Sequence, residues 1–486
     1  MLLRSGRDAC VTNIDSTADF IRSLPIADVV EETRASLARG NVLLLAEPGA
    51  GKSTGLHLTL LSDASPERKI VMLEPRRLAA IGVAERMAAQ LGEPLGGRIG
   101  LRMRGQTTVS ASTILEVVTE GVLTRMLQAD PMLDGIGLVI FDEFHERSLN
   151  ADLGLALCRE VQQELRTDLR LLLMSATLDI TELGVSLAPI EQISCAGRMH
   201  PVEIVWLGAG RDELHQRVAS AITTALADQT GDVLVFLPGI AEIERTARLV
   251  EPRLDRQTQL YRLHGQADRD VQRAATAPSS GDVRRVILST SIAETSFTID
   301  GVQVVIDAGL ERRGRVDSST GSQRLETVMA SQAAATQRAG RAGRTAAGVC
   351  YRLWSKSDHS RRAMSWQAEI LRSELTSLLV ETGQWGARDV FSLPWLESPP
   401  EASVSRAAAL LNTLGIWNDN RLTEHGKAVA QLPVHPRLAH MLIWARQRGH
   451  EMGELACKLV ALLEDGVSKG ATADLDLHFR RPLPRH

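Results

Sequence analysis

The chain has 486 residues, a formal net charge of −4, 44% hydrophobic residues and only 3% aromatic ones. A chain of this length accommodates about three domains, their cores must be aliphatic, and the charge excludes a polyanion binder that works through its global field, leaving only local patches. The five cysteines, Cys10, Cys158, Cys195, Cys350 and Cys457, form no C-x-x-C pair, which argues against a zinc site or a disulfide scaffold and fits a reducing cytoplasm.

Residues 1–22 have no clear period. With Arg4, Arg7 and Asp8 and no long apolar stretch they read as an N-terminal extension, not a signal peptide. No apolar run approaches the ~20 residues of a membrane span, so no membrane partner is expected. From Leu24 the pattern becomes α/β. Asn41–Ala46 is a short apolar run ending in a Gly-rich turn, as a buried parallel strand does, and a helix can start at Lys52. Lys69–Leu73, Leu138–Phe141 and Leu171–Met174 are further buried strands, with helical patterns at Ala80–Leu91 and Thr119–Gln128 between them. Gly197–Pro201 reads as a linker. A second α/β unit follows, with strands at Asp232–Phe236, Val286–Ser289 and Val302–Val305. Past Trp366 helical periods dominate, punctuated by Pro394, Pro399, Pro400, Gly415, Pro433 and Pro436, and from Gly470 the chain is polar.

Three segments carry chemistry. Ala46-Glu47-Pro48-Gly49-Ala50-Gly51-Lys52-Ser53-Thr54 completes an [AG]-x4-G-K-[ST] phosphate loop between a strand and a helix. Small residues let backbone N–H groups face the β- and γ-phosphates, the helix adds its positive end, Lys52 brings a point charge, and the Ser53 hydroxyl suits Mg²⁺. Glu47 is the odd member: its carboxylate either points to solvent or weakens the grip on an anion. At the C-terminal end of a buried strand, Asp142 and Glu143 stand where parallel sheets bind ligands. Asp142 is suited to hold Mg²⁺, and Glu143 to polarise an attacking water or share the metal. His145 is either a packing residue or a coupling one. In Gln337-Arg338-Ala339-Gly340-Arg341-Ala342-Gly343-Arg344, Arg341 and Arg344 share a face if helical. They form either a solvated basic face or the charge that a nucleotide held by one domain receives from another, with Gln337 positioning water.

In this order the segments resemble the DEAH-box branch of superfamily 2 helicases, most of all the bacterial HrpB-type ATP-dependent helicases. The matching stretches are 73–80 (LEPRRLAA), 116–127 (EVVTEGVLTRML), 142–149 (DEFHERSL), 175–177 (SAT), 236–239 (FLPG), 289–296 (STSIAETS) and 337–344. The resemblance spans roughly residues 24 to 476. It implies two tandem RecA-like domains with parallel sheets, at 23–195 and 196–365. A mostly helical winged-helix domain at 366–432 and the start of a helical ratchet domain at 433–486 follow. It implies ATP and Mg²⁺ as cofactors, a nucleotide site completed across the cleft, and Asp300 near the ribose. Ser175 and Thr177, with His145, would couple hydrolysis to domain motion. Arg76, Arg77, Thr119 and Thr290 would contact the nucleic-acid backbone or the nucleotide, although Arg76-Arg77 is also readable as a solvated pair.

The implied activity is ATP-driven 3′-to-5′ movement on single-stranded nucleic acid, RNA favoured over DNA. Protein partners are not legible. Three departures stand out. Ser291 replaces the usual Asn. Gln272–Pro278 lacks the ring that relatives often offer the adenine. The chain ends early in its ratchet-like part with the tail Phe479–His486, so a C-terminal truncation is expected, and with it the alternative of an ATPase or partner-binding protein that does not unwind. A metabolic kinase sharing only the phosphate loop is argued against by the arginine run and the second α/β unit.

Overall fold

In this computed structural model the described residues are 21–47, 49–176, 187, 189–277, 283–295, 299–316 and 323–465. Pro48, Thr177, the tail 479–486 and most of the expected extension lie outside them, and of Ser53 and Thr54 only the backbone is described.

The first unit is built on eight strands: β1 (Asn41–Ala46), β2 (Lys69–Glu74), β3 (Ile99–Met103), β4 (Gln106–Thr108), β5 (Leu115–Thr119), β6 (Ile136–Phe141), β7 (Arg170–Ser175) and β8 (Ile190–Cys195). They lie in the order β4-β3-β5-β2-β6-β7-β1-β8. Only β3–β4 is antiparallel. Crossover helices such as Arg77–Gln90, Glu120–Ala129 and Leu149–Glu164 cover the faces, which is why the central strands are apolar throughout instead of alternating. The ends of β2, β6, β7 and β1 therefore deliver Glu74, Asp142, Ser175 and Ala46 to one edge of the sheet.

The second unit adds β9 (Val202–Trp206), β10 (Asp232–Phe236), β11 (Thr258–Leu263), β12 (Arg284–Ser289) and β13 (Val302–Asp307). An antiparallel hairpin of β14 (Leu310–Val316) and β15 (Gln323–Met329) follows, then β16 (Gly348–Arg352). Six of these form an all-parallel sheet in the order β11-β12-β10-β13-β16-β9. The apolar runs expected to be strands are strands, and the two parallel-sheet units stand as expected. β3, β4, β5, β8, β9, β11, β16 and the hairpin were not anticipated.

One buried side chain ties the second unit together. Arg338, 1% exposed, donates to Glu294, to Asp307 at the end of β13 and to Glu311 at the start of β14, at 3.0, 3.0 and 3.2 Å. It also lies over the Phe236 ring, 5.3 Å from its centroid.

After Trp366 come helices Thr376–Trp385, Glu401–Thr413, Glu424–Ala430, Pro436–Arg446 and His450–Asp465, with a two-stranded ribbon, β17 (Trp417–Asn418) and β18 (Arg421–Leu422). This helical region shares a continuous core with the first unit: Leu123, Leu127, Phe141, Leu153 and Leu157 belong to the same buried cluster as Ile370, Leu379, Trp395 and Trp417. Polar contacts reinforce the seam. Arg125 donates to the Ala430 carbonyl at 2.8 Å and Arg159 to that of Pro394 at 2.9 Å. Among the described residues no helix is long and apolar enough to cross a membrane, and Cys158, Cys195, Cys350 and Cys457 are free thiols.

Arg338→Ala would leave three carboxylates buried without their cation. The loss expected is about 3–5 kcal/mol of stability, measured as a fall in the urea unfolding midpoint.

Candidate nucleotide site

The phosphate loop turns on two glycines that an L side chain could not replace without strain, Gly49 at φ +85° and Gly51 at φ +91°. A Cβ on Gly51 would also stand 2.8 Å from Leu24 Cδ1. The chain then winds through one wide π-type turn, Lys52–Leu56, before settling into the α-helix His57–Leu60. Lys52 is 7% exposed. Glu47 is exposed, as one of its two readings expects, and is held at the rim of the loop. Its Oε2 accepts from the Gly197 N–H of the linker at 3.1 Å, and its own N–H donates to the Cys195 carbonyl.

Opposite Lys52, the end of β6 runs into a tight turn. Glu143 adopts φ +48°, ψ +35°, followed by the 3-10 turn Phe144–Glu146 and by Arg147 at φ +46°, ψ +49°. This geometry points Glu143 back at the phosphate loop, with Lys52 Nζ 3.4 Å from its carboxylate. Burial pushes the Glu143 carboxyl up, but Lys52, His145 and Arg341 outweigh it and hold it below the usual range, so it is ionised. Asp142 is buried at 4% exposure. Beside it, Glu74 closes β2. Burial, then repulsion from Asp142 and Glu143, lifts the Glu74 carboxyl well above its usual range.

His145 sits at the junction of both units. Its Nε2 lies 2.8 Å from the Gln337 amide nitrogen, its Nδ1 lies 3.5 Å from Glu143 Oε2, and the Ala176 N–H approaches Nδ1 at 3.5 Å. Burial depresses its pKa, and Lys52 and Arg76 oppose a positive charge there too, against the pull of Glu143. In the neutral ring only one nitrogen donates: a proton on Nδ1 faces Glu143 and leaves Nε2 to accept from Gln337, whereas a proton on Nε2 leaves Nδ1 to accept from the Ala176 N–H.

The two arginines are not a solvated face. The helix Gln332–Gly340 ends where Arg341 opens a 3-10 turn, in which residues three apart eclipse, and Arg341 is buried at 6% exposure. Its Nε donates to the Glu294 carbonyl at 2.9 Å. Burial, then the neighbouring Arg344, depresses the Arg341 pKa. Burial also lowers that of Arg344, which feels the opposing charges of Glu143 and Asp300. Lys52, Asp142, Glu143, Gln337, Arg341 and Arg344 are thus gathered around one cleft. Asp300 stays exposed in a turn, its carbonyl accepting from Arg285 at 2.5 Å.

The oxygen donors suit a hard cation. Among the described residues no group of three or more His, Cys, Asp or Glu forms a metal cage, but Mg²⁺ carried on phosphates needs only one or two protein carboxylates. Asp142 and Glu143 meet that requirement.

The other candidates divide. Arg76 bridges the units: it pairs with Glu146 at 3.0 Å and donates to the Ser291 carbonyl at 2.7 Å. Arg77 is exposed on the first turn of its helix, so one member of the pair is solvated and the other is not. Thr119 stands at the N-cap position of the helix Glu120–Ala129, with no capping bond from its side chain. Thr290, half-buried, follows β12 and donates its N–H to Leu263. Ser175, wholly buried, ends β7 next to the segment that meets His145.

Comparison with known proteins agrees with this geometry. Residues 28–184 match the DEAD/DEAH box helicase family and residues 216–346 the helicase conserved C-terminal domain. The chain is 45% identical over 467 residues to the ATP-dependent RNA helicase HrpB of Escherichia coli K12, covering 95% of this chain and 57% of that protein. The chain belongs to the DEAD/DEAH-box helicase family. It is also 34% identical over 442 residues to the ATP-dependent RNA helicase HrpA homolog of Haemophilus influenzae, covering 88% of this chain and 34% of the relative. A crystal structure of the E. coli DEAH/RHA helicase HrpB superposes with a TM-score of 0.89, covering 95% of this chain and 59% of that one. The chain thus spans little more than half the length of the HrpB it resembles.

Within this DEAH-box site, sequence reasoning passed over Glu74, Glu146, Arg147, Glu294 and Arg338. A visible signal existed for Glu74, a carboxylate closing an apolar strand. Glu120, next to Thr119, is another. Its carboxyl accepts from Ser148 Oγ at 2.6 Å, and burial raises its pKa to about 8. An acid whose pKa is raised by folding stabilises the fold fully below its unfolded value and loses that contribution as pH climbs through the folded one. Between the ordinary carboxyl pKa and about 8, therefore, rising pH should destabilise the protein. Glu120→Gln should show a smaller fall in melting temperature than wild type from about pH 6 to about pH 9, followed by thermal denaturation.

Proposed function

We propose that the chain is an ATP hydrolase of helicase type that moves 3′-to-5′ along single-stranded nucleic acid, RNA in preference to DNA. The observation that carries this is the division of the nucleotide groups: Lys52, Asp142 and Glu143 on one sheet edge, Gln337, Arg341 and Arg344 on the facing unit. The phosphates of ATP would replace Glu143 as the partner of Lys52, and Asp142, with Glu143 and Ser53, would hold Mg²⁺. That ion supplies charge neutralisation on the phosphate oxygens. Glu143, ionised beside the phosphate loop, is placed to orient and deprotonate a water. Arg341 and Arg344 bring positive charge to the departing phosphoryl from the opposite wall. His145 links Glu143 to Gln337 in a chain of contacts, so a change at the γ-phosphate alters the contact between the units.

Two adjoining cavities offer a path beside the nucleotide site. One of about 700 Å³ is lined by Arg76, Arg147, Arg312, Arg313 and Arg372 together with Glu146, Glu294, Glu311, Glu369 and Glu397, and one of about 280 Å³ by His264, Thr290, Ser291, Glu311 and Arg312. Arg76 is paired with Glu146 and Arg313 with Glu311, so a nucleic-acid backbone would draw these arginines away from their glutamates. Arg77 and Thr119 would extend the contact surface on the first unit. RNA is preferred because the relatives are named RNA helicases. The free thiols fit a reducing cytoplasm. The working units would be 23–195, 196–365, 366–432 and 433–486.

The test is ATP turnover with and without single-stranded RNA, then with DNA of matched sequence, beside a strand-displacement assay. Turnover should rise with RNA and, in Lys52→Ala, fall by about 10²-fold or more. Full RNA-stimulated turnover in Lys52→Ala sinks the ATPase reading. Hydrolysis without displacement leaves the ATPase and removes the unwinding, the alternative of a nucleic-acid-binding ATPase.

A further inference from the structure

Glu143 and His145 belong to a turn whose far end is held by the C-terminal helical region. The turn is short and sterically costly: two non-glycine residues, Glu143 and Arg147, take left-handed backbone angles within five positions. Such a conformation persists only where its surroundings over-determine it. The determinants lie at Arg147. Its Nε and Nη2 make a bidentate pair with Asp152 at 2.9 and 3.2 Å, its Nη1 reaches Glu397 at 2.8 Å, and its guanidinium lies 5.8 Å from the Phe144 ring centroid. Phe144, 1% exposed, in turn meets Phe141 edge-on at 6.0 Å. The Arg147 carbonyl accepts from the Glu369 N–H at 2.9 Å, and Glu369 Oε2 accepts from the Leu149 N–H at 2.9 Å.

Asp152 belongs to the same unit as Arg147, but Glu369 and Glu397 do not. They come from opposite ends of the segment around helix Thr376–Trp385, more than 200 residues later in the chain, and grip the turn from its side chain and its backbone.

We infer that Arg147 is a positioning residue for Glu143 and His145, and that Glu397 and Glu369 make the helical region a structural part of the nucleotide site. Resting on the ATPase reading above, this makes nucleotide turnover depend on residues that lie outside the phosphate loop, on the wall of the adjoining cavity of about 700 Å³. Loosening the grip lets the turn relax away from the left-handed conformation, and Glu143 then swings off the line to the phosphate loop. Nucleotide binding uses the loop and Lys52 and is spared; the step that needs Glu143 in register is not. A salt bridge that only stabilised the fold would do the opposite, lowering the melting temperature and leaving turnover per folded molecule intact.

Glu397 is the residue to change, because its side chain is 40% exposed and its loss leaves Arg147 paired with Asp152. In the full chain, Glu397→Ala should lower kcat for ATP hydrolysis by about tenfold both without RNA and at saturating RNA, with KM for ATP within about twofold of wild type and the RNA concentration for half-stimulation unchanged. Its melting temperature should be unchanged. Glu397→Gln, which keeps an acceptor, should recover most of the loss. Arg147→Lys, which loses the fork, should follow Glu397→Ala. Wild-type kcat in Glu397→Ala overturns the inference, as does a kcat loss matched by a rise in KM or a drop in melting temperature. Equal turnover in wild type and Lys52→Ala overturns the ATPase reading itself, and the inference with it.

Discussion

A lysine, two carboxylates, a histidine and two arginines are buried at the seam between two sheets, and neither sheet could bury its own share alone. Lys52 and Glu143 neutralise one another at 3.4 Å within the first unit. Arg341 and Arg344 are opposed on their own side by Glu294 and Asp300 respectively, and both also feel the opposing charge of Glu143 across the cleft. Buried charge is tolerated when it is paired and hydrogen-bonded, and is otherwise expensive. The cleft is therefore closed by the same electrostatics that a triphosphate would rearrange. Inserting further negative charge changes the balance on both walls at once, which is what a machine needs if nucleotide state is to move domains.

The two glycine-rich segments and the acidic strand end were legible because each is a local pattern. A phosphate loop needs small residues followed by Lys and Ser, and a buried parallel strand writes itself as an unbroken apolar run such as Asn41–Ala46 or Ile136–Phe141. What escaped has no local pattern. β14 and β15, LERRGRV and QRLETVM, are strongly polar and pair mainly with one another, so no face-alternation marks them. Arg338 stands two residues from a glycine in an Arg-rich run, and nothing in that run separates it from Arg341. Only its three distant carboxylates do. Glu47 looked misplaced because its partner, the Gly197 N–H, is 150 residues away in sequence. The left-handed turn at Glu143 was hidden for the same reason: nothing in DEFHER announces a positive φ, and the groups that enforce it lie in other elements.

The helical region was expected as an appendage following two α/β units. Its packing is more specific than that. It joins the first unit through a common apolar core and through Arg125, Arg159 and Arg147, while the second unit keeps two clusters of its own. First and last thirds of the chain thus share a core, and the middle third joins them through the Gly197–Pro201 linker, the segment around Trp366 and contacts such as Arg76 with Ser291 and His145 with Gln337.

That arrangement bears on how the protein is made. During synthesis the first unit leaves the ribosome long before residues 368–439, whose side chains complete its core. In the interval the outer faces of helices Glu120–Ala129 and Leu149–Glu164 present Leu, Val and Met side chains to water, and the whole second unit is translated while they wait. Non-local contacts of this kind close slowly and leave apolar surface open to association. A nascent chain of this architecture is one that a chaperone would be expected to hold by those two helices until the last third arrives.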